Sequence, residues 1–212
     1  VLITAGPTYE AIDPVRFIGN HSSGLMGIEV ARAFADQGAD VTLVLGPSNI
    51  SPNRKNINLI PVTSAKEMYD AVMAFFPKTD IAVLSAAVAD FRPEMVAEQK
   101  IKKNPDNDTF TIKLVKTEDI LKSVGKIKTE NQTVVGFALE TENGLENAKK
   151  KLHTKNIDLI VLNEMNESGV GFKTKTNKIT IINRDDQVTS FDLKQKNEVA
   201  VDILNAIYQY IN

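Results

Sequence analysis

The sequence contains no cysteine, and this absence excludes several kinds of chemistry. A disulfide, a thiolate metal site and a cysteine nucleophile all require a thiol side chain within the chain. Histidine is nearly as scarce, because the chain has only His21 and His153, and neither stands in a cluster of metal-ligating residues. Since metal sites usually show clustered ligands, a histidine-built metal site is not favoured, and the sequence identifies no metal ligands.

Long apolar runs and an excess of one charge are also missing. No stretch reaches the roughly 18 apolar residues of a membrane-spanning helix, and residues 1–4 have the pattern of a core strand rather than of a signal peptide. The net charge of −2 gives no general attraction to nucleic acid or to an anionic membrane. We therefore expect a cytoplasmic protein with neither kind of partner. Because the chain does not begin with Met, we expect a domain taken from a longer protein.

Apolar strands alternate with amphipathic helices along the 212 residues. Strands are predicted near residues 1–5, 40–45, 59–62, 80–89, 109–115, 132–139 and 157–163. Helices are predicted near residues 24–37, 63–76, 117–129, 142–155 and 198–210. The alternation indicates an α/β fold in one domain over residues 1–212, with a Rossmann-like, doubly wound and mostly parallel sheet. Residues 178–183 and 188–191 predict a late antiparallel hairpin.

The connection between the first strand and the first helix is unusually long. Residues 6–24 have no apolar periodicity, whereas most strand-to-helix connections in α/β units are only a few residues long. The segment ends in Asn-His-Ser-Ser-Gly at a helix start, where backbone N–H groups favour an anion. In the simpler alternative, Ser22 or Ser23 only caps the helix, and Gly24 and Gly27 only allow close packing.

Four polar segments follow predicted strands. They are residues 6–24, 90–103, 137–142 and the stretch from residue 163 onward. Ligands of open α/β sheets bind beyond the carboxyl ends of the strands, so we expect these segments to converge on one crevice.

Familiar nucleotide and hydrolase motifs do not account for this crevice. The dinucleotide fingerprint requires three closely spaced glycines after the first strand, but Gly6 is followed by Pro7, and the next glycine is Gly19. The second strand ends in Leu-Gly-Pro, where that fold would place a ribose-binding acid. No P-loop motif is present, and Ser22 and Ser23 lie outside any nucleophile elbow.

Lysines are concentrated in two places near the expected ligand edge. One group is in the loop at Lys100, Lys102 and Lys103, and the other is on a helix at Lys149, Lys150, Lys151 and Lys155. Lys151 and Lys155 are four residues apart, so their side chains lie on the same helix face and repel unless an anion is present. Each group alone could equally be a solvated basic surface.

Several separated motifs together resemble the phosphopantothenoylcysteine synthetase family. They are LITAGPT at residues 2–8, DPVRFIGNHSSG at 13–24, AAVADF at 86–91 and KIKK at 100–103, followed by GFALET at 136–141 and KNIDLI at 155–160. They occur in this order, and the resemblance covers almost the whole chain.

The resemblance implies a ligase that uses CTP as co-substrate, with Mg²⁺. The carboxylate of 4′-phosphopantothenate would attack the α-phosphorus of CTP, release pyrophosphate and leave an acyl-cytidylate. The amine of L-cysteine would then displace CMP and form phosphopantothenoylcysteine, a precursor of coenzyme A. The resemblance also implies a homodimer to which the late strands contribute, and fusion to a flavin-dependent decarboxylase in the full-length protein.

The resemblance further implies roles for individual residues. Asn20 and Lys100 correspond to catalytic residues, the first at the acyl-cytidylate and the second in a lid that reaches the phosphates. The implied nucleotide-binding residues are Ser85, Ala86, Asp90, Asp119, Phe137, Lys151 and Lys155. The implied substrate- or intermediate-binding residues are Gly6, Arg16, Asn20, His21, Ser22 and Ala87. Leu25 departs from the family pattern, since many relatives have a lysine there.

Two other functions stay open at this point. An NAD(P)-dependent reductase could use the same fold, although the missing fingerprint opposes it. A non-catalytic nucleotide-binding module is also compatible, because a fold alone does not determine a function.

Overall fold

The computed structural model describes residues 1–102, 109–164 and 174–212. Its strands are β1 (Leu2–Ala5), β2 (Tyr9–Ala11), β3 (Phe17–Gly19), β4 (Val41–Leu45), β5 (Ile57–Pro61), β6 (Ile81–Leu84), β7 (Phe91–Pro93), β8 (Leu114–Lys116), β9 (Thr133–Glu140), β10 (Leu159–Glu164), β11 (Thr176–Asn177), β12 (Thr180–Asn183), β13 (Val188–Ser190) and β14 (Lys194–Gln195). Its helices are α1 (Leu25–Asp36), α2 (Ala65–Phe75), α3 (Ile120–Ile127), α4 (Gly144–Thr154) and α5 (Lys196–Ile211), and a short 3₁₀ turn follows α2 at Phe76–Lys78.

Eight of the strands form one sheet in the order β13-β12-β10-β9-β6-β1-β4-β5. The six strands from β10 to β5 pair in parallel, whereas β12 pairs antiparallel with β10, and β13 pairs antiparallel with β12. The predicted doubly wound, mostly parallel sheet with a late antiparallel hairpin is therefore confirmed. Pro61 lies on the edge strand β5, where its missing N–H removes no pairing within the sheet.

Helices cover both faces of the sheet, and each face has its own apolar core. Helices α1 and α5 pack on one face, where Phe34 and Ile203 are buried and Phe34 meets the ring of Tyr208 edge to face. Helices α2, α3 and α4 cover the other face through buried residues such as Met68 and Leu152. The central strands are buried on both sides, which explains why they are continuously apolar in sequence.

Two predicted strands are shorter than expected. The strand predicted over residues 80–89 ends at Leu84, because the following backbone turns to bond with the segment after β1. The strand predicted over residues 109–115 is confined to β8, which pairs with β7 in a separate ribbon.

The long connection after β1 contains structure that the sequence did not predict. Strands β2 and β3 pair antiparallel within it, and the rings of Tyr9 and Phe17 stack with centroids 3.9 Å apart. Strands of three residues are too short to show the alternation of apolar and polar residues by which a strand is predicted from sequence. Lys103 and residues 165–173, part of the predicted segment from residue 163 onward, lie outside the described residues.

A buried ionic group lies at the amino ends of β9 and β10, opposite the ligand edge. The Asp158 carboxylate forms an ion pair with Lys128, and both side chains are less than 10% exposed. Its other oxygen accepts a hydrogen bond of 2.8 Å from the Val134 amide, and the Arg184 guanidinium is 4.0 Å away. The carboxylate thus connects the starts of two neighbouring strands. Of the helices in the described ranges, none is long and apolar enough to cross a membrane.

Candidate functional site

The candidate site lies where the chain direction across the sheet reverses. In the sheet, β4 and β5 lie on one side of β1, whereas β9 and β10 lie on the far side of its other neighbour, β6. The carboxyl ends of β1 and β6 therefore open a crevice between them. Backbone bonds hold the two outgoing segments together, since Ala87 N donates to Gly6 O at 2.9 Å and Thr8 N donates to Ala87 O at 3.3 Å. The Asn20 side-chain amide also donates to Ala87 O, at 2.9 Å. Asn20, Gly6 and Ala87 are therefore brought together.

Two threonines determine the path of the segment after β6. Thr4 accepts the Ser85 hydroxyl through its backbone oxygen at 2.7 Å, and its own hydroxyl accepts the Ala86 amide at 3.2 Å. The Thr8 hydroxyl accepts the Ala89 amide at 2.9 Å. These bonds draw the segment along the crevice, with small side chains at Ala86 and Ala87.

Helix α1 begins directly against the ends of β1 and β6. A side chain at Gly27 would place its Cβ 2.4 Å from the Ser85 hydroxyl, so only glycine permits this approach. Gly24 is the N-cap and has a positive φ of 81°, and no side-chain bond caps the helix. The Ser22 and Ser23 hydroxyls accept instead from the amides two residues ahead. The close-packing role of the glycines is confirmed. Neither serine is the N-cap residue, although the Ser23 hydroxyl accepts the first amide of α1.

A first cavity of about 480 Å³ opens beyond the ends of β6 and β9. It is lined by Thr4, Leu84, Ala86, Val88, Asp90, Phe91, Lys116, Thr117, Glu118, Asp119, Ile120, Leu121, Phe137, Lys151 and Lys155. Lys151 donates to Phe137 O at 2.8 Å, and Lys155 forms an ion pair with Asp119, the N-cap of α3. The cavity therefore combines two ammonium groups with a helix start, a combination that suits a phosphorylated ligand.

Burial perturbs the charged groups of this first cavity. It lowers the pKa of Lys151, the Glu140 carboxylate opposes that shift, and the nearby Lys155 adds to it. Burial would raise the pKa of Asp119, but hydrogen bonds from Lys155 and from the Lys122 amide bring it below its usual range. A bound phosphate would stabilise the Lys151 ammonium in its charged form.

A glycine controls how close α3 lies to the end of α4. A Cβ on Gly125 would be 1.8 Å from the Lys155 carbonyl oxygen, and the side-chain amide of Asn156 donates to the Gly125 carbonyl at 2.7 Å. This contact sets the separation between the start of α3, which carries Asp119, and Lys155 on the opposite wall.

A second cavity of about 400 Å³ adjoins the first. It is lined by Asn20, Ser22, Ser23, Leu25, Met26, Ser85, Ala86, Ala87, Val88, Asp90, Phe137, Ala138, Leu139, Lys151, Asn163, Asn177 and Lys196. Ala86, Val88, Asp90, Phe137 and Lys151 line both cavities and form what we call the shared wall. All four predicted polar segments contribute to the second cavity, so their convergence on one crevice is confirmed.

Four of the predicted site residues do not line these cavities. Gly6 is buried beneath the site, where its φ of 83° lets the backbone approach Gly46. Arg16, His21 and Lys100 are exposed.

Arg16 takes part in a connection between two loops. Two N–H groups of its guanidinium donate to the same Asp13 oxygen, at 2.5 and 3.0 Å, and the guanidinium also donates to Ile101 O at 2.8 Å. The Asp13 carboxylate in turn accepts the Ile101 amide at 3.1 Å. The Arg16 guanidinium holds the pKa of Asp13 far below its usual range. The residue next to Lys100 is thereby attached to the segment after β1.

Asn163, Asn177 and Lys196 line the second cavity but were not predicted individually as site residues, although the first two lie in the predicted segment from residue 163 onward. Asn163 ends a predicted strand, but Asn177 and Lys196 belong to segments with no recognisable motif. Only the packing of β11 and α5 beside β10 brings them to the crevice.

Carboxylates suited to a divalent cation are sparse in this region. Within the described ranges, no cluster of three or more histidine, aspartate or glutamate side chains could hold a metal ion. Asp90 and Asp119 do line the first cavity, and Mg²⁺ commonly binds one or two carboxylates together with substrate phosphates and water. The donor set therefore fits Mg²⁺ that arrives with a nucleotide.

Comparison with known proteins identifies relatives across the whole chain. Residues 1–211 match the family described as the DNA/pantothenate metabolism flavoprotein C-terminal domain. The chain is 46% identical over 209 residues to the Coenzyme A biosynthesis bifunctional protein CoaBC of Vibrio cholerae, and the alignment covers 99% of this chain and 52% of that protein. The chain is also 50% identical over 212 residues to a protein named Cysteine/Cysteine sulfinic acid decarboxylase, from an unknown prokaryotic organism. That alignment covers 100% of this chain and 58% of that protein.

A solved structure agrees with these relatives. The crystal structure of the C-terminal domain of Coenzyme A biosynthesis bifunctional protein CoaBC superposes with a TM-score of 0.82 at 39% identity, over 98% of this chain and 93% of that one. The chain therefore spans about half the length of the curated relatives and nearly all of this solved domain.

Proposed function

Because this chain belongs to the DNA/pantothenate metabolism flavoprotein C-terminal domain family, we propose that it ligates 4′-phosphopantothenate to L-cysteine with CTP. The observation that carries the proposal is the pair of adjoining cavities with the shared wall. A nucleotide in the first cavity and an acyl substrate in the second would meet at this wall. The relatives named for coenzyme A biosynthesis support the same reaction.

In the first step, a carboxylate oxygen of 4′-phosphopantothenate attacks the α-phosphorus of CTP. A P–O bond forms, the bond from the α-phosphorus to pyrophosphate breaks, and the acyl-cytidylate remains. Lys151 and Lys155 neutralise charge that develops on the phosphates, an effect that is strong in a site with little water. Lys100 would approach the same phosphates from its loop, which the Arg16–Asp13 pair holds through Ile101.

In the second step, the cysteine amine attacks the acyl carbon. A C–N bond forms, the C–O bond to CMP breaks, and the amine loses a proton. Asn20 would orient the acyl-cytidylate through its side-chain amide, which is held at the crevice because its nitrogen donates to Ala87 O at 2.9 Å and to Val88 O at 3.5 Å. Holding both reactants at the shared wall supplies the proximity that this displacement needs.

Mg²⁺ is the expected companion of CTP. Asp90 and Asp119 are the residues that would hold it, and when bound it would supply charge neutralisation to the phosphates.

We further propose a homodimer. Large apolar side chains are exposed on the two small ribbons β2–β3 and β7–β8 and on the segments beside them: Phe17 at 52%, Met95 at 83%, Val96 at 55%, Phe110 at 59% and Leu114 at 42%. Exposed apolar patches of this kind usually mark an interface. The resemblance implies a contact through the late strands, whereas these exposed side chains favour the ribbons, and we propose the ribbons. Sedimentation equilibrium of the wild type against Met95→Ser tests this.

The remaining partners also belong to this proposal. We propose a cytoplasmic enzyme whose full-length form carries a flavin-dependent decarboxylase, since the chain spans only about half of relatives called bifunctional. A longer natural transcript that encodes both parts in one open reading frame would support the fusion.

A pyrophosphate-release assay tests the reaction itself. The purified protein is supplied with Mg²⁺, 4′-phosphopantothenate and either CTP or ATP, first without L-cysteine and then with it. We expect pyrophosphate release with CTP and not with ATP while 4′-phosphopantothenate is present. When L-cysteine is then added, we expect CMP and the amide product. A folded protein that releases no pyrophosphate under any of these conditions would overturn the proposal. Nucleotide binding without turnover would favour a binding module, and oxidation or reduction of NAD(P) would favour a reductase.

A further inference from the structure

A buried carboxylate lies at the base of the connection that carries Asn20. Glu10 belongs to β2, is only 4% exposed, and lines neither of the two cavities. One of its oxygens accepts the backbone amide of Ala65 at 2.8 Å. Ala65 is itself buried and is the first residue of α2, so this bond joins positions that are 55 residues apart in the chain. Acidic side chains are almost never buried this deeply unless they have a partner, and here the partner is a helix start.

The start of α2 suits a carboxylate for two reasons. The first amides of a helix have no partner within the helix, and the helix dipole favours negative charge at this end. The helix satisfies one of these amides itself, because the hydroxyl of its N-cap Ser64 accepts the Glu67 amide at 3.2 Å. Glu10 satisfies another from a distant part of the chain. Its bond therefore connects two elements of the fold, whereas the Ser64 cap connects only neighbouring residues.

This bond attaches the β2–β3 ribbon to α2. The Tyr9 amide also donates to Thr63 O at 2.8 Å, so two successive residues of β2 bond to the segment at the start of α2. Across the ribbon, Glu10 faces Ile18 and Tyr9 faces Gly19. A Cβ on Gly19 would lie 2.6 Å from the Tyr9 ring, so the end of β3 packs directly against β2. A displacement of β2 would therefore move β3 with it.

Asn20 is the next residue after β3, and its position depends on that strand. Its side-chain amide donates to Ala87 O at 2.9 Å on the crevice side, while the ribbon holds its backbone from the other side. Holding reacting groups in the correct geometry contributes strongly to rate, and a displacement of about 1 Å can slow a reaction about a hundredfold. The anchoring of β2 therefore bears on the geometry of the reaction, although Glu10 itself lies outside the cavities.

We propose that Glu10 is a positioning residue, which holds Asn20 at the crevice by anchoring the β2–β3 ribbon to the start of α2. The inference rests on the proposed ligase function for the step in which Asn20 takes part. The lysines of the first cavity belong to a different element, since Lys151 lies in α4 and Lys155 is its C-cap. Loss of the Glu10 anchor should therefore slow the second step of the reaction and leave nucleotide binding unchanged.

The test compares Glu10→Ala with a matched control, Glu67→Ala. The Glu67 carboxylate lies at the same helix start, where it accepts the Thr63 amide at 2.7 Å, but it is exposed and belongs to α2 itself. Both variants remove an acidic group from the start of α2, and Glu10→Ala also releases the ribbon. We expect Glu10→Ala to slow single-turnover decay of the acyl-cytidylate with L-cysteine about tenfold. Glu67→Ala should slow it less than about twofold, and the KM for CTP should stay within about twofold in both variants.

A double-mutant cycle separates positioning from a general loss of stability. Glu10→Ala is combined with Asn20→Ala, and acyl-cytidylate decay is measured in all four proteins at a temperature at which each is folded. Two residues that act as a unit do not have additive effects, so Glu10→Ala should slow decay less than about twofold once the Asn20 side chain is absent. The same loss in both backgrounds, or no loss in either, would overturn the proposal. Equal effects of Glu10→Ala and Glu67→Ala would overturn it as well.

Hydrogen exchange keeps the inference testable if the proposed reaction itself fails. The backbone amides of residues 17–20 are followed in the wild type, Glu10→Ala and Glu67→Ala, without substrates. We expect exchange about tenfold faster in Glu10→Ala alone, because the ribbon opens more often without its anchor. Unchanged exchange would show that Glu10 does not hold the ribbon, whatever the activity. Faster exchange in a protein that releases no pyrophosphate would support the anchor and reject only the proposed function.

A second variant covers the case in which Glu10→Ala does not fold. Glu10→Gln keeps the shape of the side chain and an oxygen that can accept the Ala65 amide, but it removes the charge that strengthens this bond. We expect smaller changes in the same direction, in both the decay rate and the exchange of residues 17–20. Wild-type values for both measurements would contradict the proposal.

Discussion

Asp158→Asn should destabilise the protein far more than the same substitution in an exposed ion pair. The carboxylate joins the starts of β9 and β10, where it receives the Val134 amide and pairs with Lys128. Asparagine has nearly the same shape, so packing is preserved, but the Lys128 ammonium keeps its charge in a position that is only 8% exposed. The variant therefore leaves a buried cation without its anion, and it also leaves a single oxygen to accept from both the Lys128 ammonium and the Val134 amide.

The magnitude follows from the burial of both partners. Removing one member of a buried pair typically costs about 3 to 5 kcal/mol, because the remaining charge is not compensated. In a protein of this size, about 1 kcal/mol shifts the melting temperature by about 2 to 4 °C. We therefore expect a decrease of roughly 6 to 20 °C. Since Asp158 lies at the end of the sheet opposite the cavities, the KM values of the folded variant should not change.

Asp36→Asn is the matched control for this prediction. Asp36 pairs with Arg54, but their side chains are 51% and 39% exposed. Exposed pairs of this kind contribute about 1 kcal/mol or less. Both variants are unfolded thermally and in urea, with the reaction rate measured in parallel. Similar destabilisation by the two substitutions, or a loss of less than about 1 kcal/mol for Asp158→Asn, would refute the reasoning.

Four further predictions concern the site and its loops. Lys155→Met should raise the KM for CTP about tenfold, whereas Lys150→Met, on the solvent side of the same helix, should not. Asn20→Asp should slow breakdown of the acyl-cytidylate about tenfold or more by adding a negative charge beside it, and unchanged single-turnover decay would contradict this. Lys100→Gln should slow formation of the intermediate more than its breakdown, so equal slowing of both steps would oppose the lid role. Asp13 has a lowered pKa in the folded protein, so its stabilising contribution is present above about pH 4 and is lost as the pH falls further. Unfolding measured from pH 7 to pH 3 should therefore show a weaker acid dependence in Asp13→Asn than in the wild type.

Strand polarity is what made the location of the site predictable from the sequence. Once the apolar runs are interpreted as parallel strands, their carboxyl ends must share one edge, and the polar segments that follow them must meet there. Asn20, Asp90 and Phe137 come together for this reason. The helical spacing of Lys151 and Lys155 similarly predicted that both would face the same cavity. The family predicted from the ordered motifs is confirmed by the match over residues 1–211.

Contacts between residues far apart in the chain account for what the sequence did not predict. Residues 85–89 are apolar enough to continue β6, yet the hydroxyls of Thr4 and Thr8 bond to two of their amides and redirect the backbone. These partners lie about eighty positions earlier, beyond the reach of any local pattern. Lys196 was missed for a related reason, because a lysine at a helix start normally faces solvent.

The shared wall also bears on inhibition. A compound that fills both cavities at once would tether its two halves, so the second half would bind at an effective concentration in the millimolar range or above. At an effective concentration of about 1 mM, two fragments that each bind at about 30 μM would combine into a molecule with roughly micromolar affinity. Its linker would have to pass the shared wall, in which Ala86 has the smallest side chain. The half of the compound in the second cavity would contact Leu25, an apolar side chain in the lining of that cavity.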